Sequence, residues 1–180
     1  MPAHTHVTAA GGPNYGELTG SLHIFAVETL GFCAHRPFWF LLWSGVFERH
    51  PGFKLVITES GGSWVPYTLD FCDDLSEYRN PELVRQILSM KPSEYWARQC
   101  FIGASPPSGR HEIEQRYKIG VRNIMWGSDY PHTEGTWPYT QHRMKTMFAG
   151  VPEAEVRFML GENAAQVYNF DLTKLIPIAE

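Results

Sequence analysis

The chain has 180 residues, 43% of them hydrophobic and 14% aromatic. That is enough apolar material for one packed domain over 1–180, and it excludes disorder as the main description. Fifteen basic against nineteen acidic residues leave a formal charge of −4, so no basic surplus exists to neutralise a phosphate backbone, and nucleic acid is excluded as a leading partner. The longest apolar run, Pro37 to Phe47, is broken by Ser44 and Gly45 and falls short of the roughly 20 residues a membrane span takes. With no export signal at the start, the expectation is a soluble, cytoplasmic protein with no membrane partner.

In chain order, the first expected strand is Pro2 to Thr8, followed by a Gly/Pro/Asn loop at Gly11 to Gly16 and a largely helical segment from Leu22 to His50. The stretch Pro37 to Arg49 starts with proline at a first helical position and stops at His50-Pro51-Gly52. A β-branched second strand runs from Phe53 to Thr58; after the Gly61-Gly62 turn a helix covers Trp64 to Tyr78, with Ser63 as its expected N-cap. A helix over Pro81 to Met90 leads to Pro92 and a third strand at Gln99 to Ala104. A helix over Gly109 to Ile119 precedes a fourth strand at Asn123 to Trp126, and helices over Trp137 to Ala149 and Pro152 to Val167 complete the chain. Strands alternating with helices of this length predict an α/β fold with parallel strands, whose crossover helices cover the sheet.

In that class chemistry gathers at the carboxyl ends of the strands. Strand one carries His4 and His6, which the period of two places on one face; strand two ends at Glu59; strand four ends at Asp129, with Tyr130, Pro131 and His132 beyond it. The third strand offers only the turn Ala104-Ser105-Pro106-Pro107. Two imidazoles with carboxylates make a mixed nitrogen and oxygen site suited to a divalent metal, zinc first, with manganese or iron as alternatives. Such an ion lowers the pKa of a bound water or polarises a substrate carboxylate, and a neighbouring carboxylate shuttles the proton.

Each of these residues has a plainer reading too. His4 reads equally as an exposed residue near a terminus, Asp129 as the cap of a turn, Glu59 as an acceptor for a backbone amide, and His132 as a solvated loop residue. What lifts them is their recurrence at successive strand ends. Other candidates are weaker. Gly61-Gly62-Ser63 lacks the frame of a nucleophile elbow, and neither Gly11-Gly12 nor Gly61-Gly62 matches a phosphate loop. Asp73 and Asp74 diverge around a helix axis and read as a solvated face. Cys33, Cys72 and Cys100 fit neither a disulfide framework nor a metal knuckle, and read as reduced, buried thiols. The aromatic run Phe38, Trp39, Phe40, Trp43 reads as a buried helix, with a subunit contact as the alternative.

PAHTHV near the start, then HRPFWFLLWSGVFERHPGFKLVITESGGSWVP, IMWGSDYPH and GENAAQVY together resemble the carboxyl-terminal half of the amidohydrolase-related family, which includes aminocarboxymuconate-semialdehyde decarboxylase. The resemblance runs from about Pro2 to Phe170. It implies a (β/α)8 barrel with a divalent metal at its carboxyl mouth, this chain supplying units five to eight. His6 then matches the metal-binding histidine of the fifth strand and Asp129 the aspartate of the eighth. Glu59 stands where many members carry a histidine active in proton transfer, and a carboxylate needs burial to act as an acid near neutral pH.

The resemblance also implies a first-strand pair of metal ligands that this sequence does not supply. His4-x-His6 is superficially like that pair, so a first-strand assignment stays open beside the fifth-strand one, and His4 is kept as a candidate ligand. Four strands cannot close a barrel that typically takes about 250 residues. The expectation is therefore a longer natural polypeptide whose amino-terminal half pairs with this one, or a homo-oligomer whose copies complete each other. The leading function is metal-dependent hydrolysis or non-oxidative decarboxylation of a small carboxylated, aromatic substrate, with His6, Asp129 and His4 as ligands and Glu59, Asp129 and His132 as catalytic groups. The alternative is a non-catalytic, self-associating half-barrel.

Overall fold

The computed structural model describes residues 1–6, 16, 20–103 and 109–174. Three strands, β1 over Ala3–His6, β2 over the β-branched run Leu55–Thr58 and β3 over Cys100–Gly103, join as a parallel sheet in the order β1-β2-β3. All four residues of β2 and all four of β3 are buried, as expected of parallel strands covered on both faces. The register aligns His6 with Thr58 and Thr58 with Gly103, so three strands end in one row. The expected loop at 11–16 (apart from Gly16), the end of strand one at 7–8 and the turn at 104–107 lie outside the described residues.

Helices between the strands supply the crossovers. Between β1 and β2 come α1 (Ser21–Gly31), a 3-10 turn at Cys33–His35, α2 (Arg36–Trp43) and α3 (Val46–Arg49), the last two separated at Ser44 and Gly45. Between β2 and β3 lie α4 (Val65–Tyr78), α5 (Pro81–Ile87) and α6 (Pro92–Gln99). The sequence reading missed α6 by taking Pro92 only as punctuation. Proline at the first helical position is compatible with a helix start. There Glu94 accepts from the Lys91 amide at 2.8 Å, and Asp73 accepts from the Ser93 amide and hydroxyl at 2.8 and 2.6 Å. Asp73 is thus the clamp on α6, while Asp74 is exposed.

Beyond β3, α7 (Arg110–Glu114) and α8 (Arg116–Ile119) divide the expected single helix at Gln115. The expected fourth strand is reduced to one parallel bridge, Ile102 to Ile124, with the Met125 amide bonded to the Ile102 carbonyl at 2.8 Å. Two things end it. The Trp126 amide turns to the Met159 carbonyl at 2.8 Å, and the buried Asn123 side chain bonds back to the Cys100, Ala97 and Trp96 carbonyls. Helices α9 (Thr140–Met147), α10 (Glu153–Arg157) and α11 (Asn163–Tyr168) follow, the last two joined by a π-helical turn at Phe158–Glu162.

Side-chain alternation splits the core. Leu55, Ile57, Cys100, Ile102 and Ile124 face the helices of the outer layer, where Phe38, Leu42, Phe47 and Trp96 join one large cluster. Val56, Phe101 and Met125 face the other way and, among the described residues, meet only Val167 as a fourth buried member, with Ala164 and Tyr168 partly buried beside them. In α2, Phe38 and Leu42 are buried and Phe40 is exposed, so the aromatic run is half core and half surface. Cys72 and Cys100 are buried, and desolvation raises both thiols, Cys72 to about 11; Cys33, expected to be buried, is exposed instead. Among the described residues no helix is long and apolar enough to cross a membrane.

Candidate metal centre

Glu59 follows β2 and still keeps its amide on the Gly103 carbonyl at 3.2 Å, but its own φ is +56°, a left-handed conformation that costs a non-glycine residue roughly 1 kcal/mol. That turn aims its carboxylate across the sheet end, where Oε2 meets His6 Nε2 of β1. Asp129, past the fourth strand segment, is the second left-handed non-glycine residue of the mouth, with φ +59°.

The loop after Asp129 is tightly closed by its own backbone. The His132 amide donates to the Asp129 carbonyl at 2.8 Å, the Gly135 amide to His132 at 3.1 Å and the Thr136 amide to Ser128 at 2.9 Å. A Cβ at Gly135 would stand 2.9 Å from the Ser128 and Asp129 carbonyl oxygens and 3.0 Å from that of His132, so only glycine permits this closure. The loop thereby brings Asp129, His132 and Glu134 to Glu59, with one ligand atom from each of the four within 4.8 Å of the others. His132 Nδ1 lies 3.5 Å from Glu134 Oε1 and 3.8 Å from Glu59 Oε1. The Glu134 carboxyl is held below the usual range by its own backbone amide and by the Thr133 hydroxyl.

Three carboxylates in so small a space repel one another unless positive charge lies among them, and a bound cation would relieve that repulsion. The donor set fits a divalent ion. Carboxylate oxygens with one imidazole suit manganese and iron as well as zinc, and no cysteine belongs to the group. His132 and Glu134 are more than half exposed, so water has access to the group.

Of the residues expected from sequence, the structure gathers Glu59, Asp129 and His132, with His6 against Glu59. His4 is not brought into the group; its ring stacks on Tyr168 with centroids 5.6 Å apart. Glu134 went unread, although carboxylate, histidine and carboxylate spaced over six residues before Gly135 was a visible signal. Ser63, expected to cap α4, makes no capping bond. Its hydroxyl lies 3.1 Å from His111 Nε2 and 3.4 Å from Oε2 of Glu112, a buried carboxyl that the pattern of α7 did not single out. Tyr130 and Trp137 are exposed and pack edge to face, whereas Trp64 packs its ring against His35 and Trp96. A separate apolar cavity of about 470 Å³ lies between α2 and α4 and shares no residue with the mouth group.

Comparisons with known proteins bear on the family and the fold. Residues 33–170 match the family model described as Amidohydrolase. An amidohydrolase from Mycobacterium avium subsp. paratuberculosis superposes with a TM-score of 0.70 at 23% identity, covering 92% of this chain and 42% of its own. The 5-carboxyvanillate decarboxylase from Sphingomonas paucimobilis gives 0.64 at 23% identity, over 93% of this chain and 48% of its own. A dihydroxybenzoic acid decarboxylase from a Polaromonas species, solved with manganese and the inhibitor 2-nitroresorcinol, gives 0.61 at 16% identity over 86% and 47%. This chain therefore spans about half the length of the solved structures it matches, and the likeness is to part of a TIM-barrel fold. No curated protein matches it significantly. With well over half of its residues matched by the family model, the chain belongs to the amidohydrolase family.

Proposed function

We propose that this chain is one domain forming units five to eight of an amidohydrolase-type barrel, and that its mouth holds a divalent metal for non-oxidative decarboxylation of a small carboxylated aromatic compound. The observation that carries the reading is the convergence of Glu59, Asp129, His132 and Glu134 at the strand ends. Two of the structural neighbours reported above are named as decarboxylases of such acids, and one of them contains manganese. The oxygen-rich donor set favours manganese over the zinc that the sequence suggested first.

Asp129, Glu134 and His132 would hold the ion with Glu59, and His4 would remain stacked on Tyr168. When bound, the metal supplies positive charge that orients the substrate carboxylate and offsets negative charge developing on the ring. The protein's own part is the proton. His6 Nε2 and Glu59 Oε2 share a hydrogen bond, and in this reading the Glu59 carboxylate orients the His6 imidazole, which would deliver the proton to the ring carbon. As the bond to the carboxyl group breaks and CO2 leaves, its electron pair stays on that carbon and forms the new C–H bond. Tyr130 and Trp137 offer the aromatic wall for the ring. The open inner face would be covered by an amino-terminal half or by another copy.

The test is manganese titration by calorimetry on the wild type and on Asp129→Asn and Glu134→Gln, with light scattering on the same samples and CO2 release assayed on 2,6-dihydroxybenzoate. Saturable binding that weakens at least roughly 10-fold in both variants is expected. A folded, monodisperse protein that binds no manganese, or variants that bind as the wild type does, would overturn it. The second reading, a non-catalytic self-associating module, is favoured by one observation: among the described residues β1 pairs with β2 alone, leaving its other edge open. It predicts a stable oligomer whose assembly is indifferent to manganese.

A further inference from the structure

The turn that carries Glu59 is fixed from several sides. The Trp64 indole donates to the Gly61 carbonyl at 3.0 Å, and the Val65 amide donates to that of Gly62 at 3.0 Å. Gly62 presses so closely on β3 that an added Cβ would stand 2.2 Å from Ile102 Cδ1 and 3.2 Å from Glu112 Oε1. The last anchor is polar. Ser63 Oγ lies 3.4 Å from Glu112 Oε2, which can accept its proton, and 3.1 Å from His111 Nε2. Glu112 is 1% exposed, on the helix that follows β3, so the contact joins the loop after the second strand to the crossover after the third.

A buried carboxyl is retained at a cost that its hydrogen-bond partners must offset. We infer that Glu112, acting through Ser63, is a positioning residue: it sets the turn at 59–63 and so the reach of the Glu59 carboxylate toward Asp129 and His132. This rests on the metal-centre reading for its consequence but not for its geometry. Neither side chain belongs to the group of four, so both act one layer behind it. Groups that orient a ligand in this way typically change metal affinity by roughly 10–100-fold when removed.

The experiment compares wild type, Ser63→Ala, Ser63→Thr and the double variant Ser63→Ala with Glu112→Gln. It reads hydrogen exchange of the amides at 59–64, manganese affinity and the thermal midpoint. Ser63 is only partly buried, so its alanine variant is expected to fold, with a midpoint lowered by the loss of a partner to the buried Glu112 carboxyl. Exchange at 59–64 should rise at least roughly 10-fold, and manganese affinity should fall roughly 10-fold, while threonine restores both and the double variant adds little to the single one. Unchanged exchange in Ser63→Ala, or an additive double variant, would overturn the inference. If the wild type binds no manganese, the metal-centre reading fails, and the exchange data still decide whether Glu112 and Ser63 hold the turn.

Discussion

The two faces of the sheet are built differently. On the outer face five strand residues enter a cluster of nineteen buried side chains, with Trp96 edge-on to both Phe38 and Trp64 and its indole bonded to the Ile119 carbonyl at 2.7 Å. On the inner face, among the described residues, Val56, Phe101 and Met125 find one buried partner, Val167, and the same face carries His4, stacked on Tyr168, and His6, against Glu59 at the mouth. The outer face is where apolar burial stabilises the fold. The inner face trades burial for an approach to the carboxylates, as expected where a structure accepts local cost to hold a site.

Substitutions on either face can break this comparison. Trp96→Ala removes a side chain that is 1% exposed and should cost about 4 kcal/mol in urea unfolding, near the top of the range for large-to-small core changes. Val56→Ala on the inner face should cost about 1 kcal/mol, because it removes only two methyl groups from a four-member cluster. Equal costs would mean that the inner face is as tightly packed as the outer one.

The next effect in size concerns pH and again belongs to the outer layer. His35 is 4% exposed, stacks on Trp64 at 3.8 Å between centroids and has a buried Nε2 without a hydrogen-bond partner among the described residues. Burial pushes its pKa down from 6.5 to about 4. Above pH 6.5 the ring is neutral in both folded and unfolded chains, and no penalty arises. As pH falls below 6.5 the unfolded chain takes up the proton first, so stability drops progressively until about pH 4, by about 3 kcal/mol in all. Urea midpoints at pH 7 and 4.5 should show the decline, and His35→Phe should flatten this component. A decline of the same size in the variant would assign the acid sensitivity to other groups.

The outer layer was also the more legible in the sequence. The β-branched run at Phe53 to Thr58 and the apolar run at Gln99 to Ala104 marked β2 and β3 to within two residues, and the Gly61-Gly62 turn marked the start of α4. The mouth was legible only as residue types at strand ends. Glu59, Asp129 and His132 were found that way, but Glu134 enters through a closure that depends on Gly135 meeting three carbonyl oxygens, a contact no periodicity encodes. Ser63 was misread for a related reason. Trp64 is already in the right-handed helical region with φ −77°, and the serine hydroxyl is drawn to Glu112, some fifty residues away in sequence. Asn123 likewise ends the fourth strand through bonds to carbonyls 23 to 27 residues back.

The smallest predicted effect sharpens the comparison most, because it opposes stability to function at one residue. Glu59 holds φ +56°, which glycine adopts without steric cost. Were Glu59 there for the fold, Glu59→Gly would destabilise, losing the His6 contact and gaining chain entropy on unfolding. If it is there for the site, relief of the left-handed strain should offset those losses and leave the midpoint unchanged or raised by up to about 1 kcal/mol, while manganese binding falls. The His6 contact weighs little in this balance, since the His6 side chain is 59% exposed and solvent screens such a pair. A clear loss of stability with manganese affinity intact would move Glu59 from the chemistry of the mouth to its scaffold.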